Sequence, residues 1–161
     1  MDVLQKQYAL VKLSREAVFS FIETRLGADL NTPVAAFDDK SIRHLLEHTA
    51  SCYLNWLAYF ALQQPAGSIK DRGFTTMPQI RQLYRQVDDT VAEFLEKFKE
   101  TIDLPIKGVH NACGQVIATP LEVLTHVMTH EFHHKGQILS MCRLLGCPPP
   151  DTDISLAFPG W

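Results

Sequence analysis

What most constrains this chain is a set of four long segments in which apolar side chains recur every three to four residues, the period of one face of an α-helix. In the first, Leu4, Tyr8, Val11, Val18, Phe19 and Ile22 form the stripe, which stops near Gly27. In the second, which follows Asp38-Asp39, the stripe is Ile42, Leu45, Leu46, Tyr53, Trp56, Leu57 and Phe60, with Pro65 just past its end. The third carries Ile80, Leu83, Val87, Val91, Phe94, Leu95 and Phe98, and the fourth runs from Thr119 to Gly146, before Pro148-Pro149-Pro150. Helix starts are written as capping boxes, in which a cap residue and a residue three positions on satisfy each other's backbone N–H groups. Asp2/Gln5, Thr76/Gln79 and Thr119/Glu122 have that spacing, and Pro78 and Pro120 sit in first turns, where proline is tolerated.

These signals predict helices near residues 2–25, 39–63, 77–102 and 119–145, and no segment reads convincingly as a strand. Four amphipathic helices of this length must bury their stripes against one another, so the expected fold is all-α, a four-helix bundle filling one domain, residues 1–161. The links at 64–76 and 103–119 are longer than a tight helical hairpin needs, which predicts at least one crossover connection. The second link, with Gly108, His110, Asn111, Cys113 and Gly114, is expected to cover a bundle end. The tail after Cys147, with Leu156, Phe158 and Trp161, is expected to lie against the bundle surface.

Composition narrows the function. Net charge is -3 with a pI near 6.1, so the electrostatic footprint of a nucleic-acid binder is missing. No stretch has the apolar length to cross a bilayer, the N-terminus does not read as a signal peptide, and Cys52, Cys113, Cys142 and Cys147 show no C-x-x-C spacing. The expectation is a cytoplasmic protein with free thiols, acting on a small molecule rather than on nucleic acid or a membrane.

The chemistry concentrates in the fourth segment, where His126, His130, His133 and His134, four of the chain's seven histidines, fall within nine residues. Imidazoles four apart on a helix lie one turn apart on one face and can close on a single metal ion. His126 and His134 are about 12 Å apart along the axis, too far to share an ion comfortably. The pair is therefore His126/His130 or His130/His134. The second shares an arc with Val123, Val127, Ile138 and Met141, closer to the apolar face, and is favoured; His126 and His133 point away from that arc. A third ligand must come from elsewhere. His48 is the most inward histidine of the second helix, His44 lies farther from its stripe, and His110 is a weaker loop candidate.

The run His130-x-x-x-His134-Lys135-Gly136-Gln137-Ile138 resembles the DinB-like metalloprotein superfamily, whose members carry His-x-x-x-His-Arg-Gly-Gln-Ile in the last bundle helix. Lys135 replaces the usual Arg. The second-helix run Ile42-Arg43-His44-Leu45-Leu46-Glu47-His48 and the ending Gly146-Cys147-Pro148-Pro149-Pro150 are similar to that family as well. The resemblance implies that His48, His130 and His134 are the ligands of a divalent metal ion, zinc or nickel. It also implies a bundle with a crossover and a homodimer. Its relatives include thiol-dependent S-transferases and isomerases that use a low-molecular-weight thiol cofactor.

The expected function is a metal-dependent enzyme, a thiol S-transferase or a hydrolase; the alternative is a non-catalytic dimeric bundle with a structural or sensory metal. Cys52, one turn after His48, is read as a fourth ligand or, more simply, a small buried thiol. Gln137 is read as an orienting partner for a ligand or a surface amide, and Gly136 as a point of close helix approach or a tolerated glycine. Glu47 and Glu131 are read as bases or supporting groups, or as exposed helix carboxylates. Tyr53, Trp56, Phe60, Phe94 and Phe98 are read as core.

Overall fold

The computed structural model describes residues 3–65, 73–110 and 112–158. Four helices dominate. Helix α1 spans Val3–Phe21 and continues as a π-helical turn, Ile22–Leu26; α2 spans Ile42–Tyr53 and continues as a π-helical stretch, Leu54–Ala61. Helices α3 and α4 span Met77–Phe98 and Pro120–Leu144. Both predicted caps that fall on described residues form: Gln79 accepts from the Thr76 N–H at 3.1 Å, and Glu122 from the Thr119 N–H at 2.7 Å. Asp2 lies outside the described residues.

Helix α2 begins three residues later than its apolar pattern implied. Asp38 and Asp39 take left-handed backbone (φ 54° and 56°), which ends local helicity, and Ser41 becomes the cap by accepting from the His44 N–H.

Side-chain contacts give the helix directions. Tyr84 donates to the Leu46 carbonyl and Gln64 to Glu93, so α2 and α3 run parallel. Tyr8 meets Asp88 and Glu16 meets Arg81, making α1 antiparallel to α3, while His48 meets His130 and Cys52 meets His126, making α2 antiparallel to α4. The order is up-down-down-up, and the crossover is the link between α2 and α3. Tyr53, Phe60, Phe94, Ile80, Leu124 and Met141 are wholly buried along the shared axis. The tail folds back as expected, with the buried Thr152 carbonyl accepting from Ser14 of α1 and Lys135 of α4. Phe158 is half exposed, and Trp161 and the Leu156 side chain are outside what is described.

One expectation is corrected. The link between α3 and α4 is not irregular: β1 (Ile106–His110) pairs antiparallel with β2 (Gly114–Ala118). The alternation is short and interrupted by glycine, too weak to read as strand in advance. Ile106, Gly108, His110, Val116 and Ala118 share the face turned to the π-helical stretch Leu54–Ala61, while Val109 and Ile117 face outward. Glycine at 108 has a steric reason, because a Cβ there would lie 2.9 Å from Phe60 Cδ2 and 3.0 Å from the Phe60 carbonyl oxygen. Gly136, by contrast, faces open space, so it permits no close helix approach. Among the described residues no helix is long and apolar enough to cross a membrane.

Candidate metal centre

The antiparallel α2/α4 pair brings together side chains 82 residues apart. His130 Nε2 lies 3.2 Å from His48 Nε2 and 3.1 Å from His134 Nε2, and the ligand atoms of the three rings all lie within 4.8 Å of one another. Nitrogens that each sit about 2.0–2.1 Å from a shared ion stand about 2.8–3.4 Å apart at angles between square and tetrahedral, so the spacing fits a divalent cation. The three rings are steeply inclined to one another, His48 and His134 at 88° and His130 and His134 at 81°, as separate edges pointing inward require.

The neighbours support the neutral form that a ligand needs. The His134 Nδ1–H donates to Gln137 Oε1 at 2.6 Å, which leaves the Nε2 lone pair for the convergence point. Gln137 is thus the orienting partner, one turn on from the ring it holds. Burial, reinforced by the adjoining imidazoles, pushes His130 down to about 4 and His48 below its ordinary value. Burial also lowers His134, against the opposing pull of the Gln137 hydrogen bond.

Beside the three rings opens a cavity of about 490 Å³, lined by His44, Glu47, His48, Ser51, Cys52, Asn55, Trp56, His110, Ala112, His126 and His130. The hairpin supplies one wall. His110 is 8% exposed and stacks on Trp56 with ring centroids 4.2 Å apart, and its Nδ1 accepts from the Ala112 N–H. The π-helical stretch that carries Asn55 and Trp56 begins directly after Tyr53, a local irregularity of a kind common at functional sites. Glu47 lines the wall while paired with Arg43 at 2.9 Å.

Two expectations change. His126 lies at the cavity, not away from it: its ring stands 5.7 Å from that of His130 and 5.1 Å from Trp56, and its Nε2 is 3.8 Å from Cys52 Sγ. Face geometry on an isolated helix misplaced it, because the partner helix α2 defines what is inward. Trp56, read as core, is a cavity wall. His133 stays outside, exposed, with its ring against His134. Cys52 groups with His126 and His130, all within 4.8 Å, rather than with the three converging imidazoles.

Glu131, next in sequence to His130, faces the opposite side and is buried at 8% exposure. Arg15 grips it through Nε at 2.7 Å and Nη2 at 3.0 Å, Tyr53 donates to it at 2.6 Å, and Arg15 reaches Asp88 at 2.7 Å. This network ties α1, α2, α3 and α4 together beneath the centre. Glu131 does not line the cavity, and it is neither an exposed carboxylate nor placed as a base. Its importance is invisible in sequence, since the partner Arg15 is 116 residues away.

The chain matches the family model described as the DinB family over residues 7–158. It is 24% identical over 123 residues to protein DinB of Bacillus subtilis (strain 168), covering 72% of this chain and 71% of that protein. Its fold is similar to the crystal structure of a DinB-like protein from Bacillus cereus ATCC 10987, with a TM-score of 0.68 and 19% identity, covering 92% of this chain and 93% of the other.

Proposed function

The chain belongs to the DinB family, and from that premise we propose that it is a metal-dependent enzyme whose His48, His130 and His134 hold one divalent cation, zinc or nickel. The reaction is thiol S-transfer with a low-molecular-weight thiol, or hydrolysis, on a small molecule in the adjoining cavity. The carrying observation is that His130 Nε2 stands 3.1–3.2 Å from both His48 Nε2 and His134 Nε2, with all three ligand atoms within 4.8 Å, on the border of an open cavity. Among the described residues no fourth His, Cys, Asp or Glu groups with these three, which favours an open coordination position over a closed structural or sensory site. A divalent cation there supplies a Lewis acid that lowers the pKa of a bound water or thiol, making a nucleophile at neutral pH.

The protein's own groups do the rest. Gln137 fixes the His134 tautomer, and burial favours the unprotonated form of His48, His130 and His134. The cavity suits a small ligand by size. No lysine or arginine lines it among the described residues, so its occupant is selected by shape, by the Trp56 wall and by the polar groups of Ser51 and Asn55 rather than by a fixed cation. We further propose a cytoplasmic homodimer. The outward hairpin face supports self-association, with Val109 half exposed and Ile117 more so, and light scattering across micromolar concentrations tests it.

The decisive test is metal content of tag-free protein purified without added metal. Replacing His48, His130 or His134 with Ala should strip the ion, and replacing His133 should not. A cobalt-substituted sample should show an exchangeable water or anion. If His134→Ala keeps its nickel at wild-type level, the three-imidazole reading fails. Turnover is then sought by screening thiols against electrophiles.

A further inference from the structure

The α2/α4 pair repeats its ligand pattern one helical turn further along. Stepping four residues forward on α2 and four back on α4 moves from the His48/His130 contact to Cys52/His126. One turn beyond, Trp56 closes the row with its ring against His126. The second layer is not mere packing. Cys52 Sγ, His126 and His130 offer three ligand atoms within 4.8 Å, and both Cys52 and His126 line the open cavity. The 3.8 Å between Cys52 Sγ and His126 Nε2 is the separation of a sulfur at about 2.3 Å and a nitrogen at about 2.0–2.1 Å that subtend about 120° at one ion.

We propose that Cys52, His126 and His130 form a second, sulfur-containing metal position, which takes a thiophilic ion such as cadmium or excess zinc. Its chemistry differs from that of the three-imidazole position. A thiolate with two imidazoles is a softer ligand set, so it prefers ions that bind sulfur strongly over nickel. Ligation replaces the Cys52 S–H bond with a sulfur–metal bond, and the thiol proton leaves to solvent. The cavity provides the entry path. His130 belongs to both groups, so the two positions are coupled through one side chain. An ion in the second layer sits where a substrate would approach the first, which makes this position a natural site of inhibition by thiophilic metals.

The test uses full-length, metal-stripped protein titrated with cadmium and with cobalt, read by thiolate-to-metal charge-transfer absorption. Wild type should develop that band with cadmium, and Cys52→Ser should lose it with cadmium affinity down by about tenfold or more. The same variant should keep its nickel content. His134→Ala, which weakens the three-imidazole position, should bring a thiolate band to cobalt as the ion moves to the remaining ligands. A wild-type cadmium complex without a thiolate band overturns the proposal and leaves Cys52 and His126 as a thiol–imidazole hydrogen bond; this readout needs no variant to fold. Loss of nickel from Cys52→Ser would instead defeat the all-imidazole reading above, so the two failures are distinguishable.

Discussion

The Nδ1–H of His134 is held by the side-chain oxygen of Gln137 at 2.6 Å, three residues along the same helix. This bond aims the other ring nitrogen at His130 and selects its tautomer. Replacing Gln137 with Leu keeps the helix and removes the acceptor. Metal affinity, measured by competition with a chelator, should fall about 10–100-fold. An unchanged affinity would mean that the ring is held by packing alone.

Acid should destabilise the metal-free protein in a defined window. An unfolded histidine titrates near 6.5, whereas burial holds folded His130 at about 4 and lowers His48 and His134 as well. Between those values the unfolded chain binds more protons than the folded one, so stability falls as pH drops from about 6.5 and levels off below about 4. Denaturation midpoints of metal-free wild type should follow that slope, and His130→Ala should flatten it. The same depressed values mean that protons compete poorly for the folded site. Bound metal should therefore be retained to lower pH than free imidazoles would allow, which metal content measured along a pH titration checks.

Removing Glu131 should cost stability rather than turnover chemistry. Its carboxylate is buried against Arg15 and Tyr53, and Glu131→Ala would leave the guanidinium without its main partner. Breaking a buried pair in this way costs about 3–5 kcal/mol. Chemical denaturation should register that loss. A change under about 1 kcal/mol would show that water satisfies Arg15 instead, as it does for exposed pairs.

Gly108→Ala should lift the hairpin from α2, since the new methyl would meet the Phe60 ring and its fixed carbonyl oxygen. The expected penalty is about 1–3 kcal/mol from overpacking. His110 should move off Trp56, and the fluorescence of Trp56 should report the lost stack. A variant with wild-type stability and emission would show that the strand yields without moving its tip.

What the amino-acid order determined alone was the periodicity, caps and residue spacing within single helices. The apolar stripes at Ile42 to Phe60 and Ile80 to Phe98, the caps at Thr76 and Thr119, and the one-turn spacing of His130 and His134 are local, because a helix relates residues three and four apart by its own geometry. The length of the α2–α3 link also foretold a crossover. Tertiary structure decided the rest. Only the antiparallel pairing of α2 with α4 brings His48 to His130 and turns His126 and Cys52 toward the cavity, since what counts as inward on one helix depends on its partner. Only the bundle interior makes Glu131 a buried anchor, because Arg15 reaches it from a separate helix. The hairpin, too weak in pattern to announce itself, becomes a wall because Phe60 and Trp56 give it a surface to pack on.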